Sequence, residues 1–230
     1  MTPQLVIRSF TNDQYILDKV FYSNFYRIRA FPEGEYKPVI VDLGAHCGYF
    51  TFAALAAGAK RVYAFEPFTP NYKVLLQNVG ANNIGMAVTY QLGVYVAPAA
   101  LTFGYPQLIE KNFFDFSNIH SDVNVSSAEF CKCCVLPLDV LLEHYVGEHV
   151  DILKMSIGYG EMAILEASSL LANRVSHMCG EIFLNESGQS KFHAILARKG
   201  FSHVNLQPVD GEEGKLLFHA SKGEPKEAFL

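Results

Sequence analysis

No stretch of the 230 residues reaches the ~20 consecutive apolar positions of a membrane-spanning helix, so no membrane partner is expected. Basic residues are outnumbered, and a net charge of −5 offers no basic face for a nucleic-acid backbone. The first residues, Met1-Thr2-Pro3-Gln4, lack the basic and apolar regions of a signal peptide. Cysteines are few and odd in number, and three of the five fall in Cys131-Lys132-Cys133-Cys134. Zinc takes four ligands, usually from two spaced pairs, and the second pair is missing. These cysteines read as small apolar strand residues, and the expected compartment is a reducing cytoplasm. There is no G-x-S-x-G elbow, no Walker loop and no H-E-x-x-H pair. The G-x-G-x-x-G turn of dinucleotide sites is absent too, which argues against an NAD-dependent oxidoreductase.

What is present centres on Val39-Ile40-Val41-Asp42-Leu43-Gly44-Ala45-His46-Cys47-Gly48. A short apolar run suits a buried strand, and it breaks at Gly44 before a helix-like segment over residues 51–57. Strand, glycine turn and helix together are how an open α/β sheet receives a nucleotide-like ligand. Gly44 permits the sharp turn, and Gly48 is expected to let the helix start lie close to the ligand. A second strand over residues 61–65 ends in Glu66-Pro67. An acid about 20 positions past the turn is placed to bind ribose hydroxyls. Asp42, at the strand tip, would repel a pyrophosphate but suits a cationic ligand. S-adenosylmethionine (SAM) carries an ammonium, a sulfonium and a ribose, and it is the expected cofactor.

Three blocks in order resemble the FkbM-type branch of SAM-dependent methyltransferases. Asp42-Leu43-Gly44-Ala45-His46-Cys47-Gly48 is similar to the first SAM motif of that family. Phe65-Glu66-Pro67, followed by Asn71-Tyr72, Leu75-Leu76 and Asn78, resembles the second. Lys154-Met155-Ser156-Ile157-Gly158-Tyr159-Gly160-Glu161 resembles its Lys-Ile-Asp-Val-Glu-Gly-x-Glu block, with Ser156 in place of the Asp and Gly158 in place of the first Glu. The resemblance implies a Rossmann-like class I methyltransferase fold. That is a mostly parallel seven-stranded α/β sheet with a C-terminal antiparallel hairpin and a segment inserted after the third strand. It implies Asp42, Gly44, Ala45, His46, Gly48, Glu66, Pro67, Asn71 and Gly93 at the cofactor. Because a hydroxyl is a poor Mg²⁺ ligand, Ser156 argues against a metal at that position.

The chain reads as a single domain over 1–230. Residues 1–36 form an N-terminal helical cover, with a helix over 13–25 and a crowd of aromatics (Phe21, Tyr22, Phe25, Tyr26, Phe31) that either shields a sheet edge or roofs the ligand site. Helices are expected over 51–57, 71–79, 138–145, 161–171 and 191–199. Strands are expected over 39–43, 61–65, 87–92, 151–155, 176–183, 201–206 and 215–220. Asp139 is expected in the first turn of its helix, where negative charge is favourable. Leu92, Gly93 and Val94, just beyond the third strand, are candidates to border the adenine. The insertion, about 95–137, carries a possible strand pair at 101–105 and 135–136. Between them, Asn112 to His120 reads as a substrate-side lid with Phe113, Phe114 and Phe116, or as an ordinary surface loop. Residues 221–230 read as a loose tail.

Methyl transfer needs acceptor and methyl held in line and, for an alcohol, a proton removed. Beyond the strand ends, Lys154, Ser156 and Glu181 are the catalytic candidates, joined by His120 from the lid. Base candidates are His46, His120, Glu181 and His177, and Lys154 either orients the substrate or pairs with a neighbouring acid. The expected function is SAM-dependent O-methylation of a small-molecule, sugar or peptide acceptor. The alternatives are N- or carboxyl-directed transfer and a non-catalytic SAM-binding scaffold.

Overall fold

The structure, a computed structural model, describes residues 4–9, 11–28, 30–31, 37–82, 85–106, 128–158 and 160–223. In chain order its elements are α1 (Asp13–Phe21), β1 (Val39–Leu43), α2 (Tyr49–Ala56), β2 (Arg61–Phe65), α3 (Thr69–Ala81), β3 (Ala87–Tyr90), β4 (Gly93–Tyr95), β5 (Ala99–Pro106) and β6 (Ala128–Pro137). Then come α4 (Leu138–Val140, running on as a π-helical turn, Leu141–Val146), β7 (Val150–Met155), α5 (Glu161–Ala167), α6 (Leu171–Arg174), β8 (Val175–Phe183), α7 (Glu186–Arg198), β9 (His203–Pro208) and β10 (Lys215–Ser221).

Seven strands form one sheet in the order β3-β2-β1-β7-β8-β10-β9. All neighbours run parallel except β10, which is antiparallel to both β8 and β9. This is the expected mostly parallel α/β sheet with its C-terminal hairpin. β1 is buried along its whole length, and so is β7, as parallel strands covered on both faces must be. The chain leaves β1 for β2 on one side and reaches β7 on the other, so the switch point lies beyond the ends of β1 and β7. Parallel register sets Asp42 directly opposite Lys154 there.

The insertion builds a second sheet rather than extending the first: β4, β6 and β5, with β6 parallel to β4 and antiparallel to β5. Along β6, Cys133 is buried and Cys134 exposed, the alternation a strand imposes. The proposed lid, with Phe113, Phe114, Phe116 and His120, lies outside the described residues, as do Tyr159 and residues 224–230. No helix among the described residues is long and apolar enough to cross a membrane.

Three expected helices differ. α1 stops at Phe21, four residues short of the pattern. α7 begins at Glu186, because the Asn185 side chain caps it by accepting from Gly188 N at 2.9 Å. The helix expected over 161–171 is broken, since Ser168 is extended between α5 and α6. The cause is Asp139, which sits in the first turn of its own helix as expected and also reaches across to this one. Its carboxylate accepts from Ser169 N at 2.8 Å, Ser169 Oγ at 2.6 Å, Leu170 N at 3.2 Å and the Ser168 hydroxyl.

Burial raises the Asp139 carboxyl, but these bonds more than offset it and leave the group below its ordinary value. Asp139→Ala should cost about 1–3 kcal/mol by leaving the Ser169 and Leu170 amides unpaired. A lowered acid stabilises above its unfolded pKa, and that contribution is lost as pH falls through the folded value. Urea unfolding should therefore show the gap between wild type and variant at pH 7 and its narrowing in strong acid.

Candidate active site

The floor of the site is charged and closed. Asp42 is fully buried: its Oδ1 lies 2.9 Å from Lys154 Nζ, and Oδ2 accepts from Thr51 Oγ1 at 2.8 Å. The same ammonium donates to the Gly44 carbonyl at 2.8 Å, and the rings of Tyr26 and Phe50 flank it with centroids at 5.6 Å. Asp42 therefore does not face a ligand as expected, because its charge is consumed by its cross-strand partner. Lys154 is the paired lysine, holding the first loop by its carbonyl. Gly44, at φ 78°, turns against β7 so closely that a Cβ would fall 2.0 Å from the Ser156 carbonyl oxygen. Gly48 is constrained by packing: a Cβ there would meet Leu75 at 2.5 Å.

One cleft runs over this floor. At one end lies Glu66, 4% exposed, whose carboxylate accepts from His46 N at 2.7 Å and Phe68 N at 3.0 Å. His46 adopts φ 53° to aim that amide. Burial pushes the Glu66 carboxyl up to about 7, against the pull of the two amides and of Lys154. One amide per oxygen leaves acceptor capacity for a diol. Pro67 and Asn71 also line the cleft, as do Leu92, Gly93 and Val94, the three residues expected to border an adenine. Gly93 is small because a Cβ would come 2.9 Å from Val135 and 3.1 Å from Pro67.

At the other end stand Ser156 and Glu181. Glu181 accepts from Ser156 Oγ at 2.8 Å and Tyr26 OH at 3.2 Å, and it pairs with Lys19 and, at 3.2 Å, with Lys215. Burial would raise its carboxyl, but the two lysines outweigh burial and hold it at about 2. Burial also lowers His46 to about 3. Neither candidate base then has the near-neutral pKa that proton abstraction favours, because charge partners and desolvation have moved both away. His177 sits at the start of β8, against Asp151 O at 3.2 Å, at the opposite end of the sheet from the cleft. Glu161, the last acid of the third block, is buried in the first turn of α5, where burial pushes it up to about 7.

The sequence left open whether the N-terminal cover roofs the site, and it gave no sign of the parts played by Asn12, Lys19 and Arg8. Tyr26, Lys19, Tyr15 and Asn12 all border the cleft, so the aromatic crowd roofs the site at Tyr26. Behind them Arg8 donates to Asp13 (2.8 and 2.9 Å), Asn71 Oδ1 (2.9 Å) and Cys47 Sγ (3.1 Å). Asp13, His46 and Cys47 lie close enough together to suggest a metal, but the Arg8 guanidinium already supplies the positive charge among them. Nothing in the spacing of Arg8 or Lys215 announces these contacts.

The sequence matches the methyltransferase FkbM domain family over residues 42–202. The chain belongs to that family. It is accordingly a SAM-dependent methyltransferase. No curated protein matches it in sequence. Among solved structures it is similar to a methyltransferase FkbM from Methylobacillus flagellatus, with TM-score 0.55 and 13% identity over 95% of this chain. The chain spans a little over half of that protein, 56% of its length. It is also similar to an rRNA methylase from Streptococcus thermophilus, with TM-score 0.49 and 16% identity over 95% of this chain and 99% of that one. At 13% identity the likeness to the Methylobacillus flagellatus protein is one of fold.

In this FkbM methyltransferase the Asp42–Lys154 pair carries a direct expectation. Lys154→Met should destabilise by about 3–5 kcal/mol, because it strands a buried carboxylate. Adding Asp42→Asn should recover most of that loss. Urea denaturation of both variants measures the difference, and equal destabilisation of single and double variants would refute the pairing argument.

Proposed function

We propose that this methyltransferase transfers the methyl of SAM to an oxygen of a small-molecule, sugar or peptide acceptor bound at the Ser156–Glu181 end of the cleft. The observation that carries the reading is the continuity of one cleft from Glu66 to Glu181. Glu66 fits the cofactor, being buried, fixed by two amides and still able to accept. When bound, SAM supplies an electrophilic methyl on a sulfonium. Glu66 would take the ribose diol, Gly44, Ala45 and His46 the turn beside it, and Pro67, Asn71 and Gly93 the base. Tyr26 and Phe50 exclude water above Lys154. Ser156 donates to Glu181 and borders the acceptor end. The free thiols of Cys47, Cys133, Cys134 and Cys179 suit a cytoplasmic setting.

A specific observation favours carboxyl-directed transfer as a second reading. Glu181 and His46 are both weak bases here, at about 2 and 3. A carboxylate acceptor is ionised at neutral pH and asks for no base, and the Lys19 and Lys215 ammonium groups border the same end. Mass-spectrometric methyl transfer to matched hydroxyl, amine and carboxylate acceptors tests this. SAM binding without transfer to any of them would support a scaffold instead.

The cofactor reading makes its own expectation. Glu66→Ala should weaken SAM binding by about 1.5–3 kcal/mol, roughly 10- to 150-fold in Kd. Because the Glu66 carboxyl lies at about 7, wild-type affinity should rise as pH passes upward through that value and ionises the acceptor. Calorimetry across pH 6–8 should show the rise in the wild type and its loss in Glu66→Gln.

A further inference from the structure

Asn12 occupies the position before α1 where an asparagine side chain ordinarily caps the helix. It makes no capping bond. The Asp13 amide is taken by Thr11 Oγ1 at 3.1 Å instead. Both polar atoms of the Asn12 side chain are buried without a hydrogen-bond partner, and so is His46 Nδ1. Asn12 and His46 border the same cleft. Buried polar atoms are seldom left unpaired, and three of them on two residues that line the same cleft point to a ligand that completes them.

The chain goes to some length to hold Asn12 there. The Gln4 backbone exchanges two 2.8 Å bonds with the Asn82 side chain. Val6 donates to Asn78 Oδ1 at 2.7 Å and accepts from the Tyr49 hydroxyl at 2.9 Å. Arg8 then ties this segment to both Asp13 and Asn71. The strap fastens the residues around Asn12 to α2 and α3, the helices that follow the two SAM motifs.

The amino-acid end of SAM carries an ammonium and a carboxylate, and Asp42, fully buried with Lys154 at 2.9 Å and outside the cleft lining, is not placed to receive the ammonium. A primary amide offers an acceptor and donors together, which matches that pair of charges. The guanidinium of Arg8 only donates, so His46 Nε2, facing it at 3.5 Å, is the acceptor and Nδ1 carries the proton. Burial keeps the ring neutral. We propose that Asn12 and His46 Nδ1 form the subsite for the amino-acid end of the cofactor, Oδ1 accepting from the ammonium while Nδ2 and the imidazole N–H donate to the carboxylate. The proposal rests on the cofactor reading above.

Two ligands separate the ends of the cofactor: S-adenosylhomocysteine keeps the amino acid, and 5′-methylthioadenosine lacks it. Calorimetry should show Asn12→Leu binding the first about 10-fold more weakly or worse, with the second unchanged. Asn12→Asp, nearly isosteric, loses the donor to the carboxylate and should show the same selective loss if the leucine variant folds poorly. The ligand-free melting temperature of Asn12→Leu should not fall, because no bond is removed. Equal weakening of both ligands, unchanged S-adenosylhomocysteine affinity, or a lowered melting temperature with equal losses would overturn the proposal. A wild-type chain that binds neither ligand would overturn the cofactor reading and this subsite with it.

Discussion

The structure depends on the ion pair between Asp42 and Lys154. Two charges so deeply buried are expensive to desolvate, and a hydrophobic pair of similar volume would serve stability as well or better. What the pair supplies is position. Parallel register puts the two residues opposite each other at the ends of β1 and β7. The ammonium then reaches over to the Gly44 carbonyl and fixes the turn in which His46 donates to Glu66. A carboxylate at this strand tip draws attention as a ligand group, but its field is spent inside the floor. Of the acids at these two strand tips, it is Glu66, one strand away, that lines the cleft.

The second constraint is the N-terminal cover, which completes the cleft. Arg8 collects Asp13, Cys47 and Asn71 around one guanidinium, joining the segment before α1 to both cofactor motifs. Tyr26 and Lys19 converge on Glu181 from the same cover. Glu181 thereby becomes a fixed anion with little basicity. That end of the cleft is lined by charges held in place, and this is what favours an already ionised acceptor in the second reading proposed above.

Much of the fold was legible because its signals are local. Apolar runs at 39–43 and 151–155 mark strands buried on both faces, and glycine at 44 marks the turn. That the insertion holds paired strands was visible from the apolar stretches at 101–105 and 135–136, but the register was not: 101–105 pairs with 129–133, while Val135 lies opposite Ala99 and Gly93. The break between α5 and α6 was invisible, because it is imposed by Asp139, some thirty positions earlier in the chain. The start of α7 was missed although its cap was present, since Asn185 lies before the apolar periodicity begins.

By itself the sequence determined the family and the strand tips beyond which the cleft opens. Glycine turns and acid spacing express backbone geometry, and that geometry is set within a few residues. Which charges face the ligand was decided only by the tertiary structure. Asp42 and Lys154 cancel across strands, Lys19 and Lys215 lower Glu181 from distant parts of the chain, and Asn12 is left unpaired beside the cleft. An ionisable group takes its role from whatever lies within a few ångströms of it, and those neighbours come from segments that only folding brings together.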